Sequence, residues 1–157
     1  MRLVHEDFSP MDVDIQRHTG LAVTGQRATT LFVGAAGIDG ASSGLRGQAS
    51  SVDFGNDNQT DIGFVVRVAG ATDAERAQFT ANTLAHEVGH TFGLAHVNNQ
   101  GLNELMRDGS PATDLQNARN NYGFLDRSFG GQNSYRTLFA NLGVTPTVPG
   151  SAGVPVI

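Results

Sequence analysis

Residues His86–His96 read H-E-V-G-H-T-F-G-L-A-H, and this run decides the fold. His86 and His90 are four residues apart, so on a helix their imidazoles share one face, one turn apart along the axis. That spacing lets two ring nitrogens approach one ion, and zinc takes nitrogen ligands at about 2.0–2.1 Å in a tetrahedral array. The run therefore predicts a helix that carries two ligands of a zinc ion.

The third histidine of the run cannot continue on the same helix. A residue six positions beyond His90 would point away from the ion, so the chain has to turn back. Gly93 is the predicted place of that turn, because glycine adopts the left-handed conformation without a Cβ penalty. His96 then becomes the third ligand, and a catalytic zinc site keeps its fourth position for water.

Glu87 directly follows the first histidine. Three neutral imidazoles leave the charge of zinc uncompensated, which lowers the pKa of a zinc-bound water to about 7. A carboxylate one residue from a ligand reaches this water rather than the metal. We therefore predict that Glu87 takes the proton of the water during attack on a carbonyl and hands it to the departing amine.

The sequence on both sides of the run His86–His96 predicts an α+β domain. A capping box, T-D-A-E, starts a helix at Thr72 that should run to about Thr91. Alternation and apolar runs predict four strands, at Asp12–Arg17, Ala28–Val33, Gln48–Phe54 and Ile62–Val68. Two further helices are predicted at Asp114–Tyr122 and Gln132–Leu142, the second closed by Gly143.

Composition narrows the class of protein. The chain has 157 residues, the size of one domain, with a formal net charge of −5 and no cysteine. Its ten basic residues form no cluster, so neither nucleic acid nor a membrane surface is expected as a partner. No stretch is long and apolar enough to span a bilayer, and residues 1–10 lack the apolar core of a signal peptide.

The zinc run resembles the extended signature of the metzincin metallopeptidases, and G-L-A-H at Gly93–His96 is most similar to the matrixin, matrix-metalloproteinase-like group. The resemblance implies a twisted mixed sheet with an edge strand over the cleft, an active-site helix behind it and a small C-terminal subdomain. It also implies a turn with a methionine beneath the metal. Met106, ten residues past His96, matches that role, and a gap-filling core methionine is the alternative.

The same resemblance sets the expected boundaries. A peptidase domain would span 1–143, with an N-terminal subdomain of about 1–93 and a C-terminal subdomain of about 94–143, and the Pro/Gly-containing segment 144–157 would be a linker or tail. Metzincin domains begin with a strand and a long helix, whereas only Arg2–Phe8 precede the first predicted strand. We therefore expect a truncated N-terminal portion. Family analogy favours a secreted protein, and a monomer is the expected oligomeric state.

The resemblance also suggests where a substrate binds. The segment Gly47–Phe54 is similar to the metzincin edge strand, so an extended protein or peptide would pair with its backbone, next to Gln48 and Ala49. Tyr122 is a candidate wall of the substrate pocket, with a packing tyrosine as the alternative.

A polar turn between two predicted strands offers a second, weaker metal site. Its carboxylates and amides could give oxygen ligands to calcium, and ordinary turn chemistry is the alternative. The residues concerned are Asp53, Asn56, Asn58, Asp57 and Asp61.

The function predicted from these residues is a zinc-dependent endopeptidase that hydrolyses internal bonds of extended protein substrates. Two alternatives stay open, a degenerate metzincin that acts as a binding or adhesion module and a zinc hydrolase of non-peptide amides. Glu87 argues against the first alternative, because structural zinc sites are usually closed by four protein ligands and need no carboxylate beside them.

Overall fold

The computed structural model of the chain describes residues 1–9, 11–19, 28–34, 46–66, 72–98, 103–107 and 122–144. Within these ranges runs of strands are separated by helices, and the predicted α+β class is confirmed. The elements are α1 (Arg2–Asp7), β1 (Thr30–Gly34), β2 (Gly47–Ala49), β3 (Ile62–Val66), α2 (Asp73–Thr91), β4 (Ser128–Phe129), β5 (Gln132–Asn133) and α3 (Ser134–Leu142). The helix predicted at Asp114–Tyr122 and the linker or tail predicted at 144–157 lie outside the described residues, apart from Tyr122 and Val144.

Three strands form a small mixed sheet in the order β1–β3–β2. β1 runs parallel to β3, with Phe32 opposite Phe64, and β2 runs antiparallel to β3, with Gln48 opposite Phe64. Among the strands that the structure describes, β2 therefore lies at an edge, the position that the metzincin resemblance implies for the segment Gly47–Phe54.

The edge strand is shorter than predicted, because it ends at Ala49 and not at Phe54. The amide of Ser50 still donates to the carbonyl of Ile62 at 3.0 Å, but the amide of Asp53 donates to the carbonyl of His90 at the end of α2. The chain thus leaves the sheet to meet the helix, and this contact between distant segments has no signal in the local sequence.

Helix α2 begins and ends where the sequence predicts. The Thr72 side chain accepts a hydrogen bond from the Glu75 amide, and the Glu75 carboxylate accepts one from the Thr72 amide, which completes the capping box. At the other end Gly93 has φ +94°, and the Leu94 amide donates to the Gly89 carbonyl at 2.9 Å. This is a Schellman motif, which satisfies carbonyls of the last turn.

The strand predicted at Asp12–Arg17 is wrong. Val13 and Ile15 are half-buried against the core and the residues between them are exposed, so the alternation in the sequence is real. Within the described ranges, however, no strand pairs with this segment, and the bridge between Met11 and Val144 lies just before it. The segment is extended and packs one face inward without a ladder of hydrogen bonds.

Helix α1 was not predicted from the sequence. Its Val4 is buried, and just after it the ring of Phe8 lies 5.9 Å from the ring of Phe92 and 5.1 Å from that of Phe124. Burying each such side chain contributes on the order of 1.5–3 kcal/mol. The helix therefore adds to a core that lies between α2 and the C-terminal segments.

The C-terminal helix is confirmed, with a start two residues later than predicted. Gln132 and Asn133 pair with β4, and the Asn133 side chain then caps α3 by accepting from the Arg136 amide at 3.0 Å. The helix ends before Gly143, which has φ +76°. The proposed division into subdomains near residue 93 stays a prediction.

Candidate metal centre

The structure brings the three predicted histidines together. His86 and His90 lie one turn apart on α2, and His96 returns from the turn after the helix. The distances between their Nε2 atoms are 3.0 Å (His86 to His96), 3.1 Å (His90 to His96) and 3.2 Å (His86 to His90). His90 is buried and His96 is exposed, so the group opens to solvent on one side.

Backbone carbonyls fix which ring nitrogens face the centre. Nδ1 of His86 lies 2.6 Å from the carbonyl oxygen of Leu105, and Nδ1 of His90 lies 2.7 Å from that of Leu94. A carbonyl oxygen only accepts hydrogen bonds, so both Nδ1 atoms carry the proton. The lone pairs of both Nε2 atoms then face each other and repel. A cation bound between them would remove this repulsion.

Burial keeps these imidazoles in the neutral form that binds metals. It lowers the pKa of His86 to about 3, with a further lowering by the neighbouring His90. Burial also lowers the pKa of His90. Ligand nitrogens must be free of protons, so both side chains are prepared for a metal at neutral pH.

The geometry fits zinc. A tetrahedral ion with nitrogen ligands at about 2.0–2.1 Å requires them to be about 3.3 Å apart, close to the distances observed. Within the described part of the chain, this is the one group of three or more His, Asp or Glu side chains near enough to share an ion. Three histidines leave one tetrahedral position for water or substrate, as in catalytic sites.

The Glu87 carboxylate lies between the metal-binding helix and the edge strand. It is only 7% exposed, and its Oε2 accepts a hydrogen bond of 2.8 Å from the Ala49 amide. Burial raises the pKa of Glu87 to about 7, and the Ala49 amide lowers it. The sequence identified the two residues separately, but their contact depends on how α2 packs on the sheet.

Two side chains from α3 and the strand before it hold the loop that carries His96. The Gln132 amide group accepts from the Ala95 amide at 2.8 Å and donates to the Ala95 carbonyl at 2.9 Å. Asn141 donates to the Phe92 carbonyl at 2.8 Å. Sequence reasoning missed both residues, since nothing local marks a glutamine or asparagine 37 to 49 positions away as a partner.

Met106 is fully buried and packs against α2 at Gly89, between the two helical histidines. Its carbonyl accepts from the Val97 amide at 2.8 Å. Nearby Glu104 is also fully buried, and its Oε2 accepts from the Leu125 amide at 2.8 Å. These contacts fix the segment 104–106, whose Leu105 carbonyl orients His86.

The other candidate residues are placed differently. Tyr122 is buried in the core beneath the Arg107 guanidinium and lines a cavity with Glu6 and Asp7, the contacts of a packing tyrosine. Gln48 is exposed on the edge strand.

The turn suggested for calcium is held by its own hydrogen bonds. Asp61 accepts from the Ser50 hydroxyl and the Asn58 side chain, and Asp53 accepts from the Asn58 amide. These are the contacts of an ordinary Asx-rich turn, so nothing in the described residues supports calcium there.

The family model of the M12B reprolysin-like metallopeptidases matches residues 21–132 of the chain. The chain belongs to this family. The match covers the three histidines, Glu87 and Met106, and it supports a zinc metallopeptidase of the metzincin type. It does not support the matrixin group specifically. No curated protein and no solved structure matches the chain.

The family match and the geometry of the three histidines point to the same kind of site. A metallopeptidase requires a bound metal ion, and the three histidines can hold one. In the part of the chain that the structure describes, no helix has the length and apolar character to cross a bilayer.

Proposed function

We propose that this reprolysin-like chain is a zinc-dependent endopeptidase whose metal is held by His86, His90 and His96 and whose general base is Glu87. The observation that carries the proposal is the convergence of three Nε2 atoms within 3.0–3.2 Å at the helix that also carries the buried Glu87. We also assign Met106 to a turn beneath the metal, and its burial against Gly89 of the metal-binding helix supports this role.

Each residue of the site has its own role in the proposed peptide hydrolysis. A bound zinc ion would supply positive charge that polarises the substrate carbonyl and acidifies water. Glu87 accepts a proton from the attacking water and gives it to the departing amine. The carbonyls of Leu105 and Leu94 hold His86 and His90 in the tautomer that leaves Nε2 for the metal.

An extended peptide is the substrate class that the edge strand favours. β2 lies at an edge of the described sheet and runs past Glu87, so a peptide strand pairing there would bring its backbone to the metal centre. We retain Gln48 and Ala49 as residues near this backbone. A secreted, monomeric enzyme with one zinc completes the proposal.

Two other functions predict different behaviour. A degenerate binding or adhesion module would keep zinc but cleave nothing. A hydrolase of non-peptide amides would cleave small amides but not protein. The buried Glu87 favours a catalyst, because burying a carboxylate beside a ligand costs stability that a binding module has no need to spend.

The test is metal analysis combined with a cleavage assay. We expect about one zinc per chain, as a three-histidine site requires, and hydrolysis of denatured casein that stops when a chelator is added and returns with zinc. His96→Ala should lose both zinc and cleavage, whereas His5→Ala, an exposed histidine on α1, should lose neither. Zinc without casein cleavage would favour the binding module, and cleavage of small amides alone would favour the amidase.

A further inference from the structure

Gly47 is the residue of the edge strand that lies against the Glu87 side chain. A Cβ atom added at Gly47 would lie 2.6 Å from Oε1 of Glu87, 2.7 Å from its Cγ and 3.0 Å from its Cδ. Real Cβ atoms do not approach other heavy atoms this closely. The carboxylate therefore fills the space that any other residue at position 47 would need.

The backbone of Gly47 does not itself require glycine. Its φ lies outside the left-handed region, in contrast to Gly93. The residue pairs with Val65 in the sheet, and a glycine in a strand lowers stability relative to alanine. Local structure would thus favour a side chain at this position, and the three atoms nearest to an added Cβ all belong to Glu87.

We propose that Gly47 is a positioning residue for the catalytic base. Its missing side chain and the Ala49 amide together form a seat on β2 that fixes the Glu87 carboxylate beside the metal centre. Gly47 provides the room for Oε1, and the Ala49 amide holds Oε2 at 2.8 Å. This inference rests on the proposed function, because it gives Glu87 a catalytic role.

If Gly47 positions Glu87, the effect of Gly47→Ala differs from that of replacing a glycine that only supports the fold. The three atoms that an added Cβ would approach most closely are side-chain atoms of Glu87, from Cγ to Oε1, and none of them belongs to the backbone. Gly47→Ala can therefore be accommodated by a new Glu87 rotamer that moves the carboxylate. The fold and the three histidines would survive, while the base would leave its position and its bond to Ala49. A structural glycine would show the opposite pattern, with loss of stability and no specific loss of catalysis.

Gly34 provides a matched control. It also lies in a strand of this sheet, at the end of β1, and a Cβ added there would meet no atom of the described residues within 4 Å. Gly34→Ala therefore changes the same residue type to the same side chain, without a contact to Glu87.

The first measurement is the amide proton resonance of Ala49 in the full chain, with and without zinc. An amide bound to a carboxylate is shifted downfield, so Glu87→Ala should move this resonance upfield. Gly47→Ala should move it in the same direction, and Gly34→Ala should leave it in place. An Ala49 resonance that Gly47→Ala leaves unchanged would overturn the proposal, and so would a Gly47→Ala chain that fails to fold when Gly34→Ala folds.

The second measurement is kinetic, on fluorescein-labelled denatured casein. We expect Gly47→Ala to bind zinc like the wild type and to lower kcat by about tenfold or more, with KM changed less than about twofold, since a displaced base loses much of its catalytic contribution. In a Glu87→Gln background the same substitution should have no further effect on the residual rate. A kcat within about twofold of wild type would reject the seat.

These two measurements separate the inference from the proposed function. If the zinc-loaded wild type does not cleave casein, the endopeptidase proposal fails, and the Ala49 resonance still decides whether Gly47 seats the carboxylate. If the wild type cleaves casein and Gly47→Ala does so equally well, the function stands and the seat is rejected.

Discussion

The sulfur of Met106 occupies the space in which a side chain at Gly89 would begin. A Cβ atom at Gly89 would lie 2.5 Å from this sulfur and 3.3 Å from the ring of Phe124. Both residues are buried, and Gly89 lies on α2 directly before His90. The methionine segment is therefore pressed against the backbone of the metal-binding helix itself.

We expect Gly89→Ala to destabilise the protein although it improves helix propensity. Alanine is better than glycine in a helix by about 1 kcal/mol, but overpacking a core typically costs 1–3 kcal/mol. Met106 is fully buried and has little room to move, so the free energy of unfolding should fall by about 1–2 kcal/mol. Urea unfolding measures the change.

The loss should depend on the methionine. In a Met106→Ala background, Gly89→Ala should lower stability much less, because the two Met106 atoms at 2.5 and 3.3 Å are then gone and the Phe124 ring at 3.3 Å remains as the close neighbour. An equal loss in both backgrounds would show that Gly89 is required for another reason.

This pair of residues illustrates how far the sequence leads. The pattern marks Gly89 as a glycine inside a strong helix and Met106 as the methionine that follows a zinc signature, but it does not reveal that they touch. The first two facts are local, whereas the contact depends on the path of the chain between residues 91 and 106.

The elements that were predicted correctly are those with local causes. α2 has its own cap and its own stop at Gly93, so its bounds follow from the sequence. The segment Asp12–Arg17 was predicted incorrectly for the opposite reason. Its alternation of polar and apolar residues predicts which side chains face inward, but it does not tell whether another strand lies beside the segment. Gln132, which holds the ligand loop through Ala95, could not be found without the fold.

We expect Gln132→Ala to weaken zinc binding. Its side chain makes two hydrogen bonds to the backbone of Ala95, the residue before His96, and so fixes the approach of the third ligand. Removing groups that orient metal ligands typically costs about 10–100-fold in affinity. Competition with a chromophoric zinc chelator measures the dissociation constant.

Asn141→Ala is an instructive comparison, because Asn141 holds Phe92 on the other side of the same turn, farther from His96. We expect a smaller loss of affinity for this variant. Zinc binding by Gln132→Ala equal to that of the wild type would mean that His96 is positioned without the glutamine.

We expect Glu87→Gln to keep zinc and lose turnover. Glutamine preserves the shape of the side chain and an oxygen that can accept from the Ala49 amide, but it cannot take a proton from water. Loss of a general base typically lowers kcat by about 10²–10⁴-fold. The variant should contain as much zinc as the wild type by elemental analysis. Glu75→Gln, in the capping box of the same helix, is the control and should keep its activity, whereas wild-type turnover by Glu87→Gln would remove the base assignment.

Asp7 should make the stability of the protein depend on pH. Burial raises its pKa to about 7, with a further raise from the neighbouring Glu6, and its Oδ2 is buried with no hydrogen-bond partner among the described residues. Asp7 also lies at the C-terminal end of α1, where the helix dipole disfavours a negative charge. The unfolded chain releases this proton near pH 4 and the folded chain only near pH 7, so stability falls as pH rises through that interval and is level above it.

Asp7→Asn removes this titration and should therefore be more stable than the wild type at pH 7.5 but not at pH 4. We expect the difference in unfolding free energy between the two proteins to grow by about 1–2 kcal/mol across this range. This value is smaller than the pKa shift of Asp7 alone would give, because the residue is only partly buried and solvent screens its charge. Urea unfolding at several pH values measures it, with Asp14→Asn as the control at an exposed carboxylate. Parallel stability profiles for wild type and Asp7→Asn would show that the Asp7 carboxyl titrates alike in the folded and unfolded chain, and that its environment does not favour the protonated form.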